Sequence, residues 1–515
     1  MFLFEHPDAL RRADQTLRFR NGTGRAAYDP AAFSDRMGAM KIPTPRPIPT
    51  VLAAVLTSVL TAVLAGLTAF TAGALGFLDT EHATTLIVST AGLWLLFALA
   101  ILALRRVPTR PAIAIILVGS ALIGAAAMAG PPNTSTDSAR YAWDGIVQNA
   151  GISPYRYVPV DDAVGSLRPD WLFPAPLENA DGTHRCALPR TVTTSSVPSG
   201  IPLCTALNRP KVPTIYPAAA EMFFAGMRFV TGPAAEYWPL QLTGLLMSIA
   251  ITAMLIVALR RRNLDPRWAA LWAWSPVVAT EAITNSHIDI LGTLLALVAT
   301  LLVSRGLRFR GGIALGAAIA VKLIPVIAAP ALLRRQPWKV IVASILTFAV
   351  LYIPYVLTTG IAVLGYLPGY LSEEGYNDGS RFTLLTLFVP RTASLAVAAV
   401  LLLITAVLVW WKTNPQFPWL GQLVMIGTTL LIVSPRYPWY ALLLVPFIAL
   451  SGRWEWFAVP LALTVRLLVP NHTVSQVAIA IAIIAIVGMA LYRTGPAGRA
   501  RLRHPLALLR GMPRT

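Results

Sequence analysis

Long apolar runs alternate with short polar stretches from residue 51 to residue 492. A helix needs about 20 apolar residues to cross a bilayer. Runs at 51–77, 84–104, 111–130, 237–259, 267–285, 286–304, 339–359 and 391–411 are near that length. Shorter runs at 312–321, 325–333, 419–434, 438–451, 456–470 and 475–492 read as further or broken spans. The pattern predicts an all-α polytopic transmembrane bundle of about 14 spans with a large polar loop after the third. It divides into a basic tail 1–47, two N-terminal spans in 48–110, a core 111–360 with the loop 131–235, further spans in 361–492, and a basic tail 493–515. The first 47 residues are polar and carry eight basic side chains, the wrong order for a cleavable signal peptide.

Basic clusters orient these runs, because Lys and Arg concentrate in cytoplasmic loops. With the N-terminus inside, Arg105, Arg106 and Arg110 follow span 2, Arg260–Arg262 and Arg267 follow span 4, and Arg305, Arg308 and Arg310 follow span 6. Arg334, Arg335 and Lys339 follow span 8, and the C-terminal tail adds six Arg. This topology places 29 of the 42 basic residues inside. It constrains two segments. Residues 213–230 cannot span without inverting Arg260–Arg262, so they read as an amphipathic or partly re-entrant helix at the outer surface. Residues 311–334 have basic flanks on both ends, so the chain rises and returns, turning at Lys322-Leu-Ile-Pro325. Each arm spans about 15 Å, which puts Lys322 at mid-depth facing a protein-lined cavity.

Composition agrees: 56% of residues are hydrophobic and 13% charged, against about 25% charged in soluble proteins. Disorder, collagen and a disulfide-dense scaffold are excluded. The net charge of +19 is then mostly topology, and nucleic acid is not an expected partner. Cys186 and Cys204 both lie in the large outer loop. An exported, oxidising setting favours a disulfide between them; two free thiols are the other reading.

Polar chemistry gathers in the outer loops. Asp137, Arg140, Tyr141, Trp143 and Asp144 follow span 3; Asn208, Arg209 and Tyr216 come later in the same loop. Asn285-Ser-His287-Ile-Asp289 joins spans 5 and 6, Glu373-Glu374 lies between spans 9 and 10, and Ser434-Pro-Arg436-Tyr437-Pro-Trp439-Tyr440 between spans 11 and 12. No phosphate-binding Gly-rich loop, Rossmann fingerprint, Gly-x-Ser-x-Gly elbow or HExxH helix occurs. A carboxylate with nearby Arg, Lys and His suits displacement of a phosphate leaving group by a hydroxyl, with the carboxylate taking the proton and the cations holding the phosphate. A donor reachable there is membrane-borne and phosphate-linked, a polyprenyl-phosphate sugar.

At these residues the chain resembles the GT-C superfamily of polyprenyl-phosphate-dependent glycosyltransferases. Asp137-Ser-Ala-Arg140-Tyr141 is similar to their Asp-Glu-x-x-Tyr pattern, with Ser138 in place of Glu. The run from Asp137 to Gly145, NAGISPYRY, NRPKVPTIYP and Ser286-His287-Ile-Asp289 resemble bacterial glycosyltransferase-87-like and mycobacterial alpha-mannosyltransferase membrane proteins. The resemblance implies that Asp137 is a general base in an inverting transfer at the extracytoplasmic face of the cell membrane.

Other readings of the same residues stay open at this level. Asp137 is also a natural helix N-cap. Asp144, two turns on, is either the base or an i, i+4 partner of Arg140. Lys322, Arg140, Arg209 and Arg436 are candidate donor-phosphate ligands. Tyr141, Trp143 and Tyr216 either stack on a sugar or anchor the loop. His287 and Asp289 are a substrate-binding pair, a second-shell pair, a metal site or a plain turn; no cofactor is required, and a divalent metal fits. Glu373 and Glu374 read as a solvated loop. The expected activity is transfer of a sugar, mannose first and arabinofuranose next, to a cell-envelope glycolipid or polysaccharide. A flippase of lipid-linked sugar is the rival from another class, and a non-catalytic scaffold the third.

Overall fold

The structure is a computed structural model and describes residues 50–75, 82–186, 192–194 and 203–494. The predicted basic tails therefore lie outside the described residues, apart from Arg493 and Thr494. The architecture is helical, with four strands of two or three residues confined to the large loop.

The long apolar runs become helices: α1 (Thr50–Ala74), α2 (Ala83–Leu104) and α3 (Thr109–Ala126). The large loop opens with α4 (Asp137–Asn149) and closes with α5 (Ala218–Thr231), followed by α6 (Trp238–Arg261). After a broken stretch come α7 (Asp289–Ser304), α8 (Arg308–Val321), α9 (Pro337–Thr359), α10 (Arg391–Lys412), α11 (Trp419–Val433), α12 (Ala458–Leu468) and α13 (His472–Arg493). Among the described residues seven helices are long and apolar enough to cross a bilayer, or eight if Val278–Thr284 and Asp289–Ser304 count as one bent span. The chain bends by 113° between those two pieces. The remaining runs of the expected fourteen form shorter helices, for a physical reason. Pro325, Pro330, Pro438, Pro446 and Pro460 punctuate them, and proline removes a backbone donor and clashes with the preceding turn.

Two inferences from charge concern local shape, and the structure has both shapes. Residues 218–231 form a 14-residue helix, too short to span, with Phe229 and Val230 exposed at its end. α8 stops at Lys322, whose backbone is extended (φ −157°, ψ 137°), and short 3-10 turns carry the chain back through Ile324–Ala328 and Pro330–Leu332.

Hydrogen bonds gather the loops at two ends of the bundle. At one end Arg267 Nη1 donates to the Arg105 and Val107 carbonyls, Arg262 reaches Ser304 Oγ and the Gln416 carbonyl, and Arg308 reaches the Arg335 carbonyl. At the other end lie Asp137, Asn208, Asn285, His287, Tyr370 and Tyr440. Between the ends the core is apolar and aromatic, with Trp272 and Trp274 fully buried; Trp272 Nε1 donates to the Ser248 carbonyl at 3.1 Å. Polar ties also cross it, including Gln422 to Thr300 at 2.8 Å.

The large loop is built on the α4–α5 pair. Cys186 and Cys204 form a disulfide, with Cα atoms 5.5 Å apart. The antiparallel pairs Leu177–Glu178 with His184–Arg185 and Val192–Thr194 with Leu203–Thr205 flank it. A side chain at Gly145 would run into the Phe224 carbonyl of α5 and the Arg228 stem. Gly145→Ala must therefore push α4 from α5. Overpacking of this kind costs about 1–3 kcal/mol, and a thermal melt of the detergent-solubilised variant should show a lower midpoint. An unchanged midpoint would show that the contact is looser than described.

Candidate active site

The site is organised by the break between the two pieces of the bent span. Val278–Thr284 is a π-helical turn, a form that recurs at functional sites. Ser286 has φ +55°, a left-handed conformation uncommon for a residue with a Cβ. The fully buried Asn285 joins this turn to the segment before α4. Its Oδ1 accepts the backbone N–H groups of Asn133 and Thr134, both at 3.0 Å, and its Nδ2 donates to Thr134 Oγ1 at 2.7 Å. One amide thus satisfies two buried backbone donors and fixes where α4 starts.

His287 is fully buried and stacks on Trp439 at 3.8 Å between ring centroids; Trp439 stacks in turn on Tyr437. Its Nδ1 is 3.5 Å from Asp137 Oδ2 and its Nε2 is 3.4 Å from Glu281 Oε2. The other Asp137 oxygen accepts from Asn208 Nδ2 at 2.6 Å. The N-cap position belongs to Thr136, so the N-cap reading of Asp137 does not hold and its carboxyl points into the cluster. The Asp137 side chain keeps 15% exposure, which a proton acceptor needs. Burial pushes its carboxyl up, but the nearby His287 imidazole, the charge of Lys322 and the Asn208 hydrogen bond outweigh burial and hold it below the ordinary carboxylate range.

Lys322, at the α8 turn, donates to Asp289 Oδ2 at 2.6 Å and lies 4.8 Å from the Tyr440 ring centroid. Both groups line an open pocket of about 230 Å³ together with Thr293. Tyr440 and Tyr370 share a hydroxyl hydrogen bond at 2.7 Å, and Arg209 lies 5.3 Å from the Tyr370 ring while its Nε donates to Glu373 at 2.6 Å. A second open pocket, of about 250 Å³, is lined by Arg140, Asn208, Arg209 and Tyr216. Loops from four parts of the chain therefore converge on Asp137.

Residues 215–435 match the family model of glycosyltransferase family 87. No curated protein and no solved structure matches the chain. The matched family 87 region contains Glu281, His287, Asp289 and Lys322, while Asp137, Arg140 and Asn208 precede it.

Within this site several expectations acquire a definite geometry. Asp144 is fully buried, and Arg140 Nε holds both its oxygens at 2.8 and 3.0 Å. It is the i, i+4 partner of Arg140. Arg140 Nη1 donates to the Val212 carbonyl at 3.1 Å, while Nη2 is buried without a partner beside the second pocket. Tyr141 is 1% exposed and stacked on Phe224 at 4.4 Å; Trp143 is 2% exposed and edge-on to Phe173 at 4.9 Å. Both rings are buried against loop aromatics, the geometry of loop anchors. Tyr216 meets Tyr141 edge-on at 4.9 Å but reaches the second pocket. Arg436 is exposed beside Tyr437.

Glu281 lies inside the apolar run 267–285, and Glu374 sits in a segment whose sequence reads as a solvated loop. Glu374 is in fact buried and paired with the equally buried Arg381. The signal for Glu281 was present: an acid inside an otherwise apolar run is a functional hypothesis by default. A further buried acid, Glu221, accepts from Thr214 Oγ1 at 2.6 Å and Gln148 Nε2 at 2.8 Å. Burial first, then the neighbouring Asp144 charge, holds its carboxyl well above the ordinary range. Among the described residues no group of three or more His, Cys, Asp and Glu side chains is arranged to hold a metal ion.

Proposed function

We propose that this membrane glycosyltransferase transfers a sugar from a polyprenyl-phosphate donor to a hydroxyl of a cell-envelope glycolipid or polysaccharide, at the extracytoplasmic face, with Asp137 as general base. Mannose is the sugar of first choice, on the resemblance of the Asp137–Gly145, NAGISPYRY and NRPKVPTIYP runs. The observation that carries the reading is the juxtaposition of a partly exposed, ionised Asp137 carboxyl with the Lys322–Asp289 pair. The two lie at one end of an otherwise apolar bundle. A lipid-linked donor reaches such a site from the bilayer, and no nucleotide-binding motif is needed.

The chemistry balances as a single displacement. Asp137 takes the proton of the acceptor hydroxyl as its oxygen bonds to the anomeric carbon. The bond from that carbon to the phosphate oxygen breaks, and its electron pair leaves with the lipid phosphate. Lys322 has three N–H donors, and Asp289 occupies one of them. The others stabilise the charge that develops on the leaving phosphate. Arg209, Arg140 through its unpartnered Nη2, and the exposed Arg436 supply further positive charge around it. Because the entering hydroxyl and the leaving phosphate sit on opposite faces of the sugar, the transfer inverts.

The converging loops also bear on the flippase reading. A flippase needs charged groups facing its cavity from both ends, whereas the acid–base cluster here is drawn together at one. The positive-inside distribution supports the cytoplasmic placement of the opposite, Arg-rich end.

Asp137→Asn keeps the shape and the Asn208 contact but cannot accept the proton. Sugar transfer from a labelled polyprenyl-phosphate donor should fall by about 10²–10⁴-fold while donor binding persists. Transfer at the wild-type rate would overturn the assignment. Lys322→Ala should weaken donor affinity by roughly 10–100-fold, the range of a charge-assisted hydrogen bond. Unchanged affinity would remove Lys322 from the phosphate site.

A further inference from the structure

Glu281 has no role in the reaction described so far, yet its surroundings are unusual. It sits on the π-helical turn, 3% exposed. Its Oε1 has only a 3.4 Å contact with Thr280 Oγ1, and its Oε2 has no partner within ordinary hydrogen-bond geometry. The nearest group to that oxygen is His287 Nε2 at 3.4 Å. The Glu281 backbone carbonyl also accepts the His287 N–H at 2.9 Å, so the residue brackets His287 from main chain and side chain together. No Lys or Arg is paired with Glu281 among the described ion pairs. A buried carboxylate with no counter-charge is costly, and His287 is the group that can supply one.

His287 therefore stands in a row of three: Glu281 Oε2, the imidazole, and Asp137 Oδ2. Trp439 covers its ring face at 3.8 Å, which prevents the ring from swinging out. The remaining charged groups that face this row are Lys322 and Asp289, which neutralise one another at 2.6 Å, and Arg209, which is paired with Glu373. Asn208 and Tyr437 approach as neutral groups. Lys322 contributes a steady charge to Asp137; the charge that can change lies on His287, and the carboxylate behind the ring favours its protonated form.

We propose that Glu281 is a positioning residue for the transfer: it keeps His287 as an imidazolium whose Nδ1–H and positive charge hold the Asp137 carboxylate ionised and turned toward the acceptor. The arrangement places a carboxylate behind an imidazole, as outer-shell carboxylates orient functional histidines elsewhere. This inference rests on Asp137 as the base. His287 accepts no proton in the step; the proton from the acceptor hydroxyl goes to Asp137, which returns it to solvent through its exposed edge.

The sign follows from the charges. A cation beside a carboxylate favours its ionised form, so losing that cation raises the pH at which the base becomes protonated. Glu281→Gln keeps the size and leaves an amide that still pairs with Nε2, so the ring stays in place, but one of the two anions that stabilise the imidazolium is gone. The pH profile of kcat/KM for sugar transfer, measured on the full-length protein in lipid nanodiscs, reads this directly. In Glu281→Gln the acid limb should move upward by about one pH unit, so kcat/KM should fall by up to about 10-fold below the limb and little above it, and the donor KM should stay near wild type. His287→Gln should move the limb the same way, and the double variant should move it no further than His287→Gln alone.

A lower rate with an unmoved limb would reduce Glu281 to a packing residue and overturn the proposal. So would independent, additive shifts in the double variant, or a wild-type profile. If Glu281→Gln yields no folded protein, Glu281→Asp keeps the charge and should keep the limb; a shifted limb there would also count against the proposal. The two readings fail separately. An active Asp137→Asn sinks the base assignment, whereas an inactive Asp137→Asn with an unmoved limb in Glu281→Gln sinks only the role of Glu281.

Discussion

Ionisable groups packed at the end of an apolar bundle must neutralise one another, because an isolated charge taken out of water is far more costly than any packing gain around it. Asp137, Asp289, Glu281, His287 and Lys322 meet that condition through contacts that cross the fold. Lys322 comes from the α8 turn, Asp289 from the start of α7, Glu281 and His287 from the broken span, and Asp137 from the helix that opens the large loop. Each element arrives at its place partly because its charge has a partner there. The Asn285 amide adds the backbone tie, holding the segment before α4 against the turn that carries His287. The polar cluster is both the candidate site and the joint between the loop and the bundle.

This explains why the site is assembled from both sides of the family 87 boundary. The matched region, 215–435, brings the histidine, the lysine and two acids. The carboxyl proposed to do the chemistry comes from residue 137, beyond that region, and reaches them through Asn208 and His287. The α4–α5 pair makes that reach rigid. Gly145 lets the two helices approach closely, and Arg140 with Asp144 and the hydrogen-bonded Glu221 fills their interface. Tyr141 and Trp143 belong to the same support, closed off by Phe224 and Phe173.

Much of this was legible in the sequence because the bilayer makes periodicity and charge unusually informative. Seven of the eight long apolar runs became α1–α3, α6, α7, α9 and α10, the run 267–285 broke into short turns, and the shorter run 475–492 became α13. Opposing basic flanks around 311–334 were enough to foresee the turn at Lys322, and the charge balance kept 213–230 from being read as a span. What stayed hidden depends on distance along the chain. The Lys322–Asp289 partnership, the Asn208 bond to Asp137 and the Asn285 tie join residues 33, 71 and more than 150 positions apart, and no local pattern encodes them. Asp144 and Asp137 look alike in sequence; only the side chain of Arg140, turned onto Asp144, separates their roles. Glu374 reads as solvated until Arg381, seven residues on, folds back to bury it. Apolar content alone does not distinguish a crossing helix from proline-broken short ones, so seven or eight of the expected fourteen runs are single helices or bent pairs of spanning length among the described residues.

The central claim is a one-step displacement in which Asp137 activates the acceptor. Its most direct test is the anomeric configuration of the product. The purified protein would be supplied with a polyprenyl-phosphate sugar of known configuration and a soluble acceptor analogue, and the new glycosidic linkage assigned by NMR. A single displacement predicts a product whose anomeric configuration is opposite to that of the donor. Retention of the donor configuration would require a second displacement through a different nucleophile and would contradict the account.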